Sequence, residues 1–378
     1  MKILTFTGFY LPGYKGGGPI KTIKNLVEQT GDEISFKIIT SDRDLGDAVP
    51  YTTIDRGSWN KVGKAEVFYT KPSTSGYIQV VKILNKKNYD IVYLNSFFST
   101  RYSFFPLLIA KALKQKIVLA PRGEFSEGAM SLKAQKKFMF IKLYKSLRLH
   151  RGTIFQASSD YEAEDIRKLL GSSVDIQIAE NISAKEFIGV LPVRNIRTLN
   201  MVFVSRISPM KNLLTALEIL KTVKQLVNYE IYGPIEDCEY WSECEAVIEA
   251  LPTNIQVEYK GELYPDDVLS TLSKYDALFI PTKGENYGHV IAEGLCAGLP
   301  LLIADTTPWR NLKEQRIGWD LSLNNPDSFI AAIDELALMS PDKHHQMREN
   351  VLKWAKNKFS QRDAIDANVA MFKYASNN

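Results

Sequence analysis

The stretch that decides the reading is Pro281-Thr282-Lys283-Gly284-Glu285-Asn286-Tyr287-Gly288-His289-Val290-Ile291-Ala292-Glu293-Gly294. Apolar, β-rich residues 277–281 run into it and predict a strand ending at Pro281. A glycine-bearing loop follows, and the spacing over 290–297 predicts a helix that begins near Gly288 or His289. The first-turn amides of such a helix lack intrahelical partners, so they can bind an anion or a sugar hydroxyl. Glu285 lies in the loop and Glu293 more than a turn into the helix, so two carboxylates can address different parts of one ligand. A carboxylate accepts two hydroxyl hydrogen bonds, which suits a vicinal diol. The plainer alternative is a capping loop beside a surface glutamate.

Outward from this stretch the same strand–loop–helix unit recurs. Strand-like runs occupy 3–7, 35–40, 91–94, 116–120 and 153–157, with helix-like segments such as 20–29 and 161–170 between them. A second series covers 201–205, 229–232, 255–259, 277–281 and 300–304, separated by helix-like 213–227, 265–272 and 290–297. Alternation of this kind predicts an α/β protein with parallel sheets covered on both faces. Two such series predict two doubly wound, Rossmann-like domains facing across a cleft, with ligands beyond the carboxyl ends of the strands. Segment 191–200 is the expected linker. The expected domains are therefore 1–190 and 191–360, with 361–378 a C-terminal helix packing back on the first.

Two more loops follow predicted strands. Gly16-Gly17-Gly18-Pro19 lets the backbone approach a ligand closely, and Pro19 suits the first position of a helix whose amides form an anion site. It is not the G-x-G-x-x-G dinucleotide fingerprint, so a nicotinamide cofactor is disfavoured. The plainer alternative is a flexible surface loop. Ser205-Arg206-Ile207-Ser208-Pro209-Met210-Lys211-Asn212 places Arg206 and Lys211 at a strand's carboxyl end. Two cations there can clamp a diphosphate and stabilise it as a leaving group. The alternative is two solvated surface cations.

The 378 residues suit two to three domains, and 45% apolar with 24% charged residues is an ordinary globular mix. Collagen, a disordered tail and a coiled coil are excluded. Three cysteines (Cys238, Cys244, Cys296) without metal-ligand spacing read as a reduced, cytoplasmic protein. The N-terminus turns polar too soon for a signal peptide, and no run reaches the ~18 apolar residues of a membrane span. The net charge is only +4, which does not point to nucleic acid. However, residues 1–180 carry 27 Lys/Arg against 17 Asp/Glu, while 181–378 carry 20 against 26. One half is set apart for an anionic partner.

Together these loops resemble glycosyltransferase family 4, the retaining nucleotide-sugar transferases of the GT-B fold, over essentially the whole chain. The most specific element is the Glu-x7-Glu signature from Glu285 to Glu293. The resemblance implies that Glu285 lies beside the transferred sugar and that Glu293 holds the ribose. It implies that Arg206 and Lys211 clamp the diphosphate and that Gly17 and Gly18 meet the phosphates. Asn286, Tyr287, Gly288 and His289 are then donor-binding, and Thr307, in Ile303-Ala304-Asp305-Thr306-Thr307-Pro308-Trp309, belongs to a second phosphate-side loop. The strings around 285–289 and 306–309 are closest to bacterial members that build surface polysaccharide or lipopolysaccharide.

Three positions depart from the family pattern. Pro121-Arg122-Gly123-Glu124 stands where many members carry His-Gly, Asn95-Ser96 where many place a His, and Asn181-Ile182 where Asn-Gly is usual. A guanidinium stays charged and cannot act as a base, so Arg122, with Asn95 and Glu124, is assigned to acceptor or phosphate binding.

The implied reaction is transfer of a sugar from a nucleotide diphosphate sugar to a glycan or lipid-linked acceptor, with retention. No metal or other cofactor is expected, because Arg206, Lys211 and helix amides can carry the diphosphate charge. Asp42-Arg43-Asp44 spells a metal-binding pattern, but it follows a strand of the acceptor-side half. The rival readings are a nucleotide-sugar epimerase of the same fold, and a non-enzymatic binder of anionic ligands.

The positive half concentrates its charge. Between 132 and 151 lie Lys133, Lys136, Lys137, Lys142, Lys145, Arg148 and Arg151 and no acid, interleaved with apolar residues. This predicts a basic amphipathic helix able to lie on an anionic membrane surface from the cytoplasmic side, or else an ordinary domain helix with a solvated basic face. The aromatic group Tyr93, Phe97, Phe98, Tyr102, Phe104 and Phe105 is expected in the core rather than lining an acceptor groove.

Overall fold

The computed structural model describes residues 1–183, 185–192 and 198–378. They form two compact units, Met1–Ser183 with Arg362–Asn378, and Ala184–Gln361. Residues 193–197 of the expected linker lie outside the described residues.

The first unit contains strands β1 (Lys2–Phe6), β2 (Ser35–Ser41), β3 (Trp59–Val62), β4 (Ala65–Thr70), β5 (Ile91–Asn95), β6 (Lys116–Ala120), β7 (Ile154–Ala157) and β8 (Asp175–Ile178). Its helices are α1 (Gly18–Thr30), α2 (Thr74–Asn85), α3 (Phe105–Ala112), α4 (Glu127–Ser131), α5 (Ala134–Ser146) and α6 (Asp160–Leu170). The second unit contains β9 (Leu199–Val204), β10 (Val227–Tyr232), β11 (Ile255–Tyr259), β12 (Ala277–Ile280), β13 (Leu301–Ala304) and β14 (Gly318–Leu321). Its helices are α7 (Leu213–Leu220), α8 (Cys238–Glu249), α9 (Val268–Leu272), α10 (His289–Cys296), α11 (Pro326–Leu338) and α12 (Pro341–Ser360). The last helix, α13 (Asp363–Asn377), belongs to the first unit.

Sheet order is β3-β4-β2-β1-β5-β6-β7-β8 in the first unit and β11-β10-β9-β12-β13-β14 in the second. The second sheet is wholly parallel. In each sheet the order reverses beside the first strand, between β1 and β5 and between β9 and β12. Doubly wound sheets open a ligand crevice at that point, outside the carboxyl ends of the strands. The central strands are mostly apolar because helices bury both faces. Along β5, Ile91 and Tyr93 join one core of the first unit, while Val92 and Leu94 join the other. Helix α13 completes one of these cores with Ile365, Val369, Met371 and Phe372.

Three expectations need correction. The first sheet is not all parallel: β3 pairs antiparallel with β4 at the edge. Its sequence, Trp59-Asn60-Lys61-Val62, is short and half polar; it is held by the left-handed turn at Gly63 and by Trp59 packing on Phe68. The helix expected over 213–227 ends at Leu220, because Val223, though apolar and buried, falls in the turn before β10. The helix expected across 132–151 covers only 134–146. It is preceded by α4, bounded by a left-handed Lys133 (φ 55°), and followed by a left-handed Arg148 (φ 54°).

Candidate functional site

In the second unit the loops after β9 and β12 flank the point where strand order reverses, and they carry the residues singled out from sequence. Lys211 Nζ and Glu285 Oε1 lie 2.5 Å apart, with side chains 14% and 12% exposed. Arg206 Nη1 lies 2.8 Å from Glu236 Oε1 on the loop after β10 and is more open to solvent. The β9 and β12 loops are stapled together by hydrogen bonds to main-chain carbonyls. Lys283 N and Thr282 Oγ1 both donate to Met210 O, at 2.9 and 3.1 Å. Asn212 Nδ2 donates to Pro281 O at 2.8 Å. Asn212 is buried and left-handed (φ 61°), a conformation in which Asn is tolerated better than most residues, and it turns the chain from Lys211 into α7. Thr306 Oγ1 donates to Thr282 O at 2.6 Å and ties in the loop after β13.

Helix α10 starts at a left-handed Gly288 (φ 78°), and no side chain caps it. A Cβ there would meet Ile291 at 2.8 Å, so glycine fits both the dihedral and the space. A side chain caps only some of the other helices, among them α6 through Ser159, α8 through Asp237 and α12 through Ser340. The uncapped N-terminus follows Glu285, the partner of Lys211, by three residues, and free helix amides suit a phosphate or a hydroxyl. Glu293 and His289 are half-buried on α10, and Asn286 is half-buried in the loop before it. Tyr287 is buried against Trp309, whose indole donates to Tyr287 O, so its ring is packing. Thr307 is also buried, with its hydroxyl engaged with Trp309 in its own turn.

In the first unit, Gly17 is left-handed (φ 65°) with open space around its Cα, and it starts α1 without a side-chain cap. The loop before it is held by Asp44, whose carboxylate accepts from the amides of Tyr14 and Lys15 at 2.7 and 3.0 Å. Asp42 pairs with Arg43 at 2.9 Å. The two carboxylates of the Asp42-Arg43-Asp44 pattern are thus used locally. Among the described residues no group of three or more His, Cys, Asp or Glu is placed to hold a metal ion.

Asn95, Arg122 and Glu124 come together at the carboxyl ends of β5 and β6. Arg122 is left-handed (φ 59°), and its guanidinium donates to Asn95 Oδ1 (2.7 Å), Asn181 Oδ1 (2.5 Å) and the Tyr93 hydroxyl. Tyr93 donates onward to Gln156 Oε1 at 2.5 Å, and Gln156 to Asn368 of α13 at 3.1 Å. The Glu124 carboxylate accepts from Ser96 Oγ and the amides of Phe97 and Phe98 at 2.7, 2.5 and 3.0 Å. Burial raises its pKa despite those bonds and the nearby Lys137 charge. Glu162 binds Gly123 N at 2.7 Å from the other side. Arg122 and Asn95 are thus bonded to each other, while Glu124 braces the loop after β5.

Sequence reading missed Glu236, Asn212, Thr282 and Glu162. Asn212 was within reach: a polar residue directly before an apolar helical run is a helix-start signal. Glu236 and Thr282 act through contacts across 30 and 72 positions of the chain, which no local pattern reveals.

Residues 195–354 match the family model described as glycosyl transferases group 1. No curated protein sequence matches the chain. Among solved structures, the chain is similar to HepE of Anabaena in complex with UDP and glucose (15% identity, all of both chains, TM-score 0.68). It is also similar to WaaG, a glycosyltransferase involved in lipopolysaccharide biosynthesis (13% identity, 98% and 99% of the chains, TM-score 0.70). A third is the trehalose-6-phosphate synthase OtsA (12% identity, 99% of both, TM-score 0.69). The fold is GT-B, built from two Rossmann-like units, and with the family match it supports a GT-B glycosyltransferase.

Proposed function

We propose that the protein is a retaining hexosyltransferase that moves a sugar from a nucleotide diphosphate sugar to a glycan or lipid-linked acceptor in polysaccharide or lipopolysaccharide synthesis. The observation that carries this is the Lys211–Glu285 pair beside the uncapped start of α10. Cation, helix amides and carboxylate stand at the strand-order reversal of the unit that matches the family model. In this reading Lys211, Arg206 and the α10 amides bind the diphosphate and stabilise its charge as the bond to the sugar breaks. Glu285 accepts hydrogen bonds from the sugar hydroxyls, and Glu293 holds the ribose. The acceptor oxygen attacks the face from which the diphosphate departs, and its proton passes to the leaving phosphate oxygen. The cations carry the leaving-group charge, so turnover is expected to survive a chelator. UDP is the first donor base to try, because HepE binds UDP. Three free cysteines suit a reducing, cytoplasmic site.

The test is proton NMR of candidate UDP-sugars with the protein, with and without a membrane or glycan fraction as acceptor. The proposal expects a product with the donor's anomeric configuration, and release of nucleoside diphosphate that depends on acceptor. Glu285→Ala should lower turnover about 100-fold or more, in line with losing a group that acts in the transition state. Conversion of free donor without acceptor would favour the epimerase. Unchanged turnover in Glu285→Ala would overturn the assignment.

A further inference from the structure

The second unit holds a cavity of about 520 Å³ among β14, α11, α12 and the loop that leads into β14. That volume is in the range of small-molecule sites, roughly 300–1,000 Å³. Gly318 and Trp319, the first two residues of β14, line it. The sheet is parallel, so this is the amino end of its strands. Lys211 and Glu285 belong to loops at the opposite, carboxyl end, and neither lines the cavity.

The walls of the cavity are tied together. Asn350 of α12 donates to Gln315 O and Arg316 O at 3.2 and 3.1 Å. The same loop is held at its start by Asp320, which accepts from Asn311 N and Leu312 N at 3.1 and 2.9 Å. Trp319 is 5% exposed, and its indole N–H has no acceptor among the described residues. A buried indole N–H ordinarily has one. Four cations line the cavity: Lys313, Arg316, Lys343 and Lys353. All four are exposed and none has an ion-pair partner among the described residues. Lys343 stands in the first turn of α12, where the positive end of the helix dipole disfavours a cation, so helix stability does not account for it. Two acids, Glu335 and Glu349, also line the cavity, which leaves a surplus of two positive charges.

We infer that this cavity is a second ligand site, which takes a phosphate monoester carried on an aromatic body. A phosphate monoester brings a charge of about −1.5 to −2 and three strong acceptor oxygens, which answers the surplus. Lysines meet phosphate as point charges, and the Arg316 guanidinium can fork onto two of its oxygens. Trp319, Met339 and Met347 give the cavity an apolar, polarisable wall against which a ring can lie. Inorganic phosphate would leave that wall bare. An uncharged ring would leave the four cations unanswered. A phosphorylated phenol and a nucleoside monophosphate share the required chemistry.

The test is a titration of the full chain with naphthyl phosphate and with adenosine monophosphate, followed by NMR of the indole N–H signals of its five tryptophans. The Trp319 signal is the one that Trp319→Phe removes. At least one of the two monoesters should move that signal saturably, at concentrations where inorganic phosphate and naphthol leave it in place. The monoester with the stronger response names the body. Lys313→Gln with Arg316→Gln on the loop, and separately Lys343→Gln with Lys353→Gln on α12, should each weaken the response about tenfold or more at an unchanged melting temperature. All four positions are exposed, so both variants are expected to fold. Lys211→Met with Glu285→Gln should leave the response intact, which separates this site from the proposed donor site. A Trp319 signal that neither monoester moves would overturn the inference. So would a response that either cation pair leaves unchanged, or one that inorganic phosphate reproduces.

Discussion

At the residue scale, the two proposed diphosphate cations are held differently. Arg206 and Glu236 are 36% and 41% exposed, and a pair so open to water is worth about 0.2–1 kcal/mol. Glu236 therefore competes weakly with a diphosphate. Glu236→Gln should tighten nucleoside diphosphate binding about two- to fivefold in calorimetry, at an unchanged melting temperature. Lys211 and Glu285 are mostly buried together, so removing one partner strands the other. Lys211→Ala should cost about 3 kcal/mol in urea unfolding, and Lys211→Met combined with Glu285→Gln should recover most of it. Glu124 gives a pH signature. A carboxyl whose folded pKa is raised by burial contributes stability below its unfolded value, and that contribution is lost as pH rises through the folded value. Glu124→Gln should therefore raise the melting temperature more at alkaline than at acidic pH. A difference independent of pH would contradict this account.

At the scale of elements, α10 shows how the sequence marks a site without marking its supports. Strand β12, the loop and α10 were legible because apolar runs, glycines and carboxylates sit within one short window. The anchor of α10 was not. Arg348, on α12 and 1% exposed, donates to Gly298 O and Ala297 O at the end of α10, and to Ser273 O at the end of α9. On an amphipathic helix a lone arginine reads as solvated, and only the fold shows that it closes two helix ends. A cation at a helix C-terminus also interacts favourably with the negative end of the dipole. Arg348→Met should leave three buried carbonyls unpaired and cost about 2–4 kcal/mol, measured by urea unfolding. Edge strands were missed for a related reason. Strands β3, β8 and β14 are each four residues long, and β3 is half polar, so their pairing rather than their composition defines them. The basic helix was legible as a charge run. Its true length was not, because the left-handed turns at Lys133 and Arg148 carry no glycine or proline signal.

At the scale of the whole chain, charge and topology divide the protein in two. The surplus cations of the first half are concentrated between 132 and 151, while the second half holds its proposed ligand with a few placed side chains. The chain also returns to its beginning: α13 lends Phe372 to the rings of Tyr93 and Phe36, and Asn368 to the Gln156 network behind Arg122. Deleting 363–378 should therefore unfold the first unit cooperatively rather than trim a tail, visible as loss of its transition in calorimetry. The most direct test of the central claim is calorimetric titration of nucleoside diphosphates, UDP first, into the intact protein and into Lys211→Met/Glu285→Gln. The account predicts specific binding by the intact protein, weakened about tenfold or more in the variant. Absence of binding by every nucleoside diphosphate, or equal binding by the variant, would contradict it.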